Sequence, residues 1–380
     1  MTTVILFILV LSVLVFVHEL GHFWTARRLG VKAEEFGFGF PPRALGFFKS
    51  KSGRWRFLKG NTSPDSLAEE EKPAGTVYSL NCLPLGGFVK IKGENGEGKQ
   101  DSDSFAAKAL WRRALILSAG VIMNIVLAAA LLSVGYMIGL PQSLDEVKSS
   151  AQVSEAQVFV MEVLPDSVAA QAGLESGDII KAVEGQKITS NEELQDLVSR
   201  RTDQDTSFTI IRGGEERNII IRPSFSEAVD RAVIGVSIYA SGLVRYPFFT
   251  AIWEGIKLTG LTFWLIILAF YSLIRDLIIG VSVSGQVAGP VGIATLTGQV
   301  ASLGITYLLQ FMALLSLNLA LVNILPFPAL DGGRLLFLLI EKFKGKPVRQ
   351  SVEAWIHTIG FWLLITLILV ITYKDIMRLF

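Results

Sequence analysis

The five residues His18-Glu19-Leu20-Gly21-His22 carry the densest chemical signal in the chain. Two histidines four apart share one face of a helix, so both imidazoles can point at a single metal ion. Glu19, one residue round from His18, would stand beside such an ion, where a carboxylate can take the proton of an attacking water. The chain has three histidines, His18, His22 and His357, so this pattern rarely arises by chance. The motif also closes an uncharged apolar run over residues 2–17, and ionisable groups at membrane depth are costly enough to mark function. The plainer reading is that the motif merely ends a helix at the interface, with Glu19 and His22 paired.

A catalytic zinc normally has three protein ligands and one open position for water. His357 sits near the start of the last apolar run and reads as an interfacial structural residue. The better third ligand is Asp331, in the stretch NILPFPALDGG over residues 323–333. Pro326 and Pro328 stop the preceding helix near the membrane surface, which predicts irregular backbone over 326–333. Such backbone is tolerated at membrane depth only inside protein or beside a cavity. Gly332 and Gly333 let other backbone pass close by. Taken alone, the residues read equally well as an ordinary Asp-Gly turn at the cytoplasmic surface; membrane sidedness decides between the two.

Composition sets that frame. Of 380 residues 51% are hydrophobic and only 18% charged, against about 25% charged in a soluble domain. The 35 basic and 34 acidic residues nearly cancel, which excludes a nucleic-acid binder working through bulk positive charge. A single cysteine, Cys82, excludes an internal disulfide framework and any four-cysteine metal site. The apolar residues are clumped into four runs, about 2–17, 114–139, 303–328 and 354–373. The first reaches spanning length only by including His18, Glu19 and His22. The transmembrane elements are expected over 1–23, 113–139, 303–333 and 354–373. No Lys or Arg precedes Arg27 and no small-residue cleavage site follows the first run, so it reads as a span and not as a cleaved signal.

Residues 24–112 and 328–356 carry a basic excess and 141–256 an acidic one. Basic connections tend to stay cytoplasmic. Four spans then put the HELGH motif and Asp331 on the same side, and that favours the ligand reading. A complete fifth span at 256–280 would separate them, so the region 245–300 is expected to be an amphipathic or partly inserted helix with a Gly-Pro stretch. The expected fold is a polytopic α-helical membrane protein with four core transmembrane helices. A membrane-associated β-hairpin region lies within 24–112, with a flexible insertion at 60–75. An extracytoplasmic α+β domain occupies 156–223.

That last domain reads as strands, short helices and tight turns. Gly173 can end a short helix, Ser190 or Asn191 can cap the next, and Glu184-Gly185 and Gly213-Gly214 are hairpin signals. Its run PDSVAAQAGLESGDIIKAVEGQKI resembles a bacterial PDZ domain, a fold that holds a peptide end as an added strand.

HELGH in a first span, NILPFPALDGG in a later one, and a PDZ-like insert between them resemble the site-2 protease family, the intramembrane zinc metalloproteases, in its bacterial form with a single PDZ domain. FVHELGHFWTARRLGVKAEEFGFGF, VYSLNCLPLGGFVKIKGE and GQVAGPVGIA extend the resemblance over nearly the whole chain. The resemblance implies that His18, His22 and Asp331 hold one Zn2+ per chain, and that Glu19 is the catalytic base. It implies substrate-positioning roles for Asn323 and Asn124. Asn124 falls in a family pattern Gly-Pro-x-x-Asn, but here Val121 follows Gly120 where the family has proline. The implied activity is endopeptidase cleavage of transmembrane segments in single-span proteins, such as anti-sigma factors or signal-peptide remnants, after an upstream site-1-type protease has trimmed the ectodomain. The implied location is the bacterial inner membrane, multi-pass, with the PDZ-like domain outside and taking peptide ends. Two other classes stand beside it: a non-catalytic PDZ-bearing membrane scaffold and a metal transporter. A bare metal-holding role gives no reason for Glu19.

Overall fold

The computed structural model describes residues 2–144, 147, 151–227, 230–281 and 288–377. It divides into two units, Met1–Leu132 with Gly255–Phe380, and Ser133–Glu254.

The first unit begins with helix α1 (Thr2–Arg28). Three strands follow, β1 (Ala33–Lys49), β2 (Trp55–Lys59) and β3 (Val77–Ile91), in the order β2-β1-β3. The two long strands wrap around each other: Phe36 stands across from both Val89 and Tyr78, and Phe47 stands across from Tyr78 as well. The bend of β3 lies against α1. Ser12 donates its hydroxyl to the Pro84 carbonyl (2.7 Å), and a side chain at Gly86 would run into Val15. Ser12 is about 9 Å along the helix from His18, so this sheet reaches well down the length of the first span. Its outer surface exposes Phe40, Leu45, Phe47, Trp55, Phe57 and Leu80. An aromatic surface of this kind suits a membrane interface.

Helix α2 (Leu110–Ile138) runs unbroken through Gly120 and Val121, as the absence of proline there allows. The second unit, Ser133–Glu254, contains β4 (Leu140–Ser143), β5 (Gln152–Val163), α3 (Val168–Gln171), β6 (Ile179–Val183), β7 (Gln186–Lys187), α4 (Asn191–Ser199), β8 (Thr206–Arg212), β9 (Glu215–Ile221), β10 (Ser224–Ser226), β11 (Arg231–Val233) and β12 (Val236–Arg245). Its main sheet has the order β4-β12-β5-β6-β8-β9, with β7 on β6. The expected turns form where glycine allows them: Gly173, Gly185, Gly213 and Gly214 all have positive φ. Ser190 caps α4, its side chain accepting from the Glu193 amide. Val158, Ala169, Ile180, Val183, Phe208, Ile210 and Ala240 form the fully buried centre of its core. The domain therefore reaches past the expected 156–223, because β12 fills the place beside β5 and β4 adds to its far edge.

Helix α5 (Phe248–Ile279) is continuous for 32 residues, and by length and composition it is long enough to cross a membrane. Among the described residues it is one of five such helices, with α1, α2, α7 (Ile305–Ile324) and α9 (Gln350–Met377). The expected 245–300 block thus resolves into α5 and a separate α6 (Pro290–Leu303). Of the stretch GQVAGPVGIA, residues 285–287 lie outside the described residues. Asp375 of α9 accepts a hydrogen bond from the Gly292 amide (2.8 Å), and a side chain at Gly298 would collide with Thr3 at the start of α1. Helix α6 therefore sits at the end of α1 remote from the HELGH motif.

Helix α7 stops at Ile324, and α8 (Asp331–Lys344) starts at Asp331. The predicted irregular segment is present but shorter, 325–330 and not 326–333. The two prolines break the helix, yet Gly332 and Gly333 are already helical and buried.

Candidate metal centre

Helices α1 and α2 meet where neither has room for a side chain. At Gly21 a Cβ would collide with the Ala119 carbonyl oxygen and lie 2.7 Å from Met123 Cγ. At Gly120 it would collide with His22 Nε2 and lie 2.7 Å from His18 Nε2. Both imidazoles therefore bring their Nε2 edges against a bare stretch of α2, their planes 78° apart. His22 donates Nδ1–H to the Ile116 carbonyl (2.8 Å), which leaves Nε2 unprotonated in the neutral ring. The amide of Asn124, fully buried, is 3.3 Å from His18 Nδ1. Ile116, Gly120 and Asn124 are spaced by four, so one face of α2 meets both rings.

Asp331 arrives from the other side. Its Oδ2 is 3.0 Å from His18 Nε2 and 3.3 Å from His22 Nε2, and the two Nε2 atoms are 3.2 Å apart. A tetrahedral zinc with bonds of about 2.0–2.1 Å separates its ligands by about 3.3–3.4 Å. The donor set matches that triangle in chemistry and nearly in size, so these residues fit a zinc ion. Among the described residues, they form the only group of three or more His, Cys, Asp or Glu placed to hold a metal. Glu19 is half-buried beside them, within electrostatic reach of both imidazoles and of Asp331. Asn323, near the end of α7, brings its Nδ2 to 3.4 Å from His18 Nε2, next to the same centre.

The position of Asp331 rests on the break before it. Ala329 adopts φ 77°, and its amide donates to His357 Nδ1 of α9 (2.9 Å). Side chains at Gly332 and Gly333 would strike the Leu325 and Phe327 carbonyl oxygens, and one at Gly360 would lie 2.6 Å from the Pro328 oxygen. Helix α8 is then tied down by the Arg113–Glu341 pair (2.5 Å) and by Arg334 with Glu94. Leu335 and Leu338 pack against the buried cluster that includes Ala26, Phe105, Ile116 and Leu117. His357 is thus a structural residue, but one that holds the metal-side turn. Sequence reasoning missed this role, as it missed the Ile116 carbonyl and the packing at Gly21, Gly120 and Gly360. A backbone acceptor leaves no signature in the sequence, and a glycine inside an apolar run looks like any other small residue.

Comparison with known proteins shows the family. The profile described as peptidase family M50 matches residues 6–58 and 64–367. The zinc metalloprotease RasP of Geobacillus kaustophilus is 30% identical over 464 residues, covering 100% of this chain and 98% of the relative. The regulator of sigma-W protease RasP of Bacillus subtilis is 29% identical over 100% of this chain and 99% of the relative. Among solved structures, the PDZ domain of an SdrC-like protein from Listeria monocytogenes matches 23% of this chain and 92% of that chain, at 23% identity and a TM-score of 0.22. The chain belongs to peptidase family M50 and is a zinc metalloendopeptidase of the site-2 type.

Proposed function

We propose that His18, His22 and Asp331 hold one zinc ion per chain and that the enzyme cleaves the transmembrane segments of single-span proteins. The triangle of 3.0, 3.2 and 3.3 Å between the two Nε2 atoms and the Asp331 carboxylate carries this reading. When bound, zinc supplies Lewis-acid polarisation of the scissile carbonyl and makes water a nucleophile near neutral pH. Glu19 takes the proton of the attacking water and passes it to the leaving amine. Asn323, beside His18 Nε2, holds the substrate backbone by a hydrogen bond. A substrate helix has no free backbone groups, so it must unwind first. The β1–β3 sheet, lying along α1 above the site, offers strand edges that take the unwound segment by β-addition.

The second unit acts as a PDZ-like filter. A cavity of about 310 Å³ lies between α4 and the start of β12, lined by Leu194, Val198, Gly235, Val236 and Ile238. An apolar groove beside a strand suits a peptide end. In this reading the domain stands outside the bacterial inner membrane, and α5 packs against the bundle as an amphipathic or partly inserted helix. The substrates are anti-sigma factors or signal-peptide remnants already trimmed by an upstream site-1-type protease.

Reconstitution of the full chain with a trimmed single-span substrate tests the activity. Wild type cleaves it, chelation stops cleavage and added zinc restores it. Glu19→Gln removes cleavage while the metal stays bound. Retained cleavage in Glu19→Gln would reject the assigned base.

A further inference from the structure

We infer that Asn124 is a positioning residue that selects the tautomer of His18, with its amide oxygen accepting the Nδ1 proton. This rests on the reading of His18 as a metal ligand. A neutral imidazole carries one proton. If Nε2 is to face Asp331 with a free lone pair, Nδ1 must hold the proton, and a buried N–H needs an acceptor. His22 meets the same demand with the Ile116 carbonyl at 2.8 Å. For His18 the group at hand is the Asn124 amide, 3.3 Å from Nδ1 on the ring edge away from Asp331.

The orientation of that amide decides the outcome. With its nitrogen toward the ring, Nδ1 is bare, the proton sits on Nε2, and the ligating lone pair is lost. The amide oxygen is then buried with no hydrogen-bond partner. A half-turn about the Cβ–Cγ bond exchanges the two ends. The oxygen now accepts from Nδ1–H and Nε2 is free. The packing holds Asn124 in this position, since its own backbone carbonyl accepts the Ser316 hydroxyl (2.8 Å) and its side chain is fully buried. Being buried behind the ring, it reaches a substrate only through His18. One helix thus sets both imidazoles, Ile116 by its main chain and Asn124 by its side chain, on either side of Gly120.

The chain's three histidines make the test direct. In zinc-loaded, 15N-histidine-labelled full-length protein, with the His357 signals assigned from His357→Gln, wild type should show both site rings protonated at Nδ1 and bound through Nε2. Zinc titration of purified variants supplies the second readout. Asn124→Leu, which keeps volume and removes the acceptor, should weaken zinc binding by about 10- to 100-fold. Asn124→Asp keeps an acceptor and should stay within a few-fold of wild type. A zinc-loaded wild type whose His18 ring is protonated at Nε2, and so bound through Nδ1, overturns the proposal even if Asn124→Leu fails to fold. So does an Asn124→Leu protein that binds zinc like wild type, or an Asn124→Asp protein that loses it as fully as the leucine variant. A wild type that binds no zinc sinks the metal-centre reading itself, which separates the two failures.

Discussion

At the residue scale, the centre depends on an absence as much as on its ligands. The bare Cα of Gly120 is what lets two imidazoles lie against α2 with both Nε2 atoms turned toward Asp331. Gly120→Ala adds a methyl where the rings already stand. Forced repacking of that kind costs about 1–3 kcal/mol, and here it moves ligands directly. The variant should lose about tenfold or more in cleavage and bind less than one zinc per chain. Unchanged zinc content and rate would show that the helices do not approach this closely. His18, Glu19, His22 and Asp331 were all legible in the sequence, the first three because a two-His-one-Glu spacing rarely arises by chance, and Asp331 because membrane sidedness put it on the face of the HELGH motif. The surroundings were not. Ile116 acts through a carbonyl that every residue has, and Asn124 meets His18 only because α1 and α2 pack at Gly21.

The element that decides the site is the six-residue break between α7 and α8. It converts the end of one helix into the start of another and leaves Asp331 at the junction. Pro326 and Pro328 announce the break, but its closure depends on α9, which supplies His357 to the Ala329 amide and Gly360 to the Pro328 carbonyl. His357→Ala leaves a part-buried N–H without its acceptor, at about 1–3 kcal/mol. Cleavage should fall about tenfold or more with the protein still folded, as judged by rate and melting temperature on one preparation. A fully active His357→Ala protein would mean that the turn holds itself. Nothing in the sequence pairs residue 329 with residue 357, because the contact joins chain segments whose approach only the packed bundle defines. The strand β12 was hidden for a related reason: its run VSIYASGLVR alternates weakly, and it becomes a strand by filling the space next to β5.

For the whole molecule, the amino-acid pattern separates an apolar bundle from a polar domain correctly, because composition changes abruptly between them. The edges of the domain were set too narrowly. A gating test must therefore remove more than the central strands. Replacing residues 140–245 by a flexible linker should let the enzyme cleave substrates that still carry their ectodomains, and no gain of such cleavage would count against the filter. Inside the domain, burial alone would raise the Asp178 carboxyl, but the Arg212 guanidinium, at 2.7 Å from each oxygen, and the Glu175 amide hold it below its ordinary value. A depressed carboxylate stabilises the fold fully above its unfolded value near pH 4, and that contribution is lost as pH falls through the folded value. Asp178→Asn should cost roughly 1.5–3 kcal/mol at pH 7, seen as faster proteolysis of the domain in the full-length chain. The difference from wild type should shrink at strongly acid pH. Equal proteolysis at pH 7 would remove the pair from the stability of the domain.

Zinc content, measured on purified wild type and on Asp331→Ala at the same free zinc concentration, tests the heart of the account. One zinc per chain in wild type and almost none in Asp331→Ala is the expected result. A full equivalent of zinc in the alanine variant would contradict it, since the two imidazoles would then hold the ion without the carboxylate that α8 delivers.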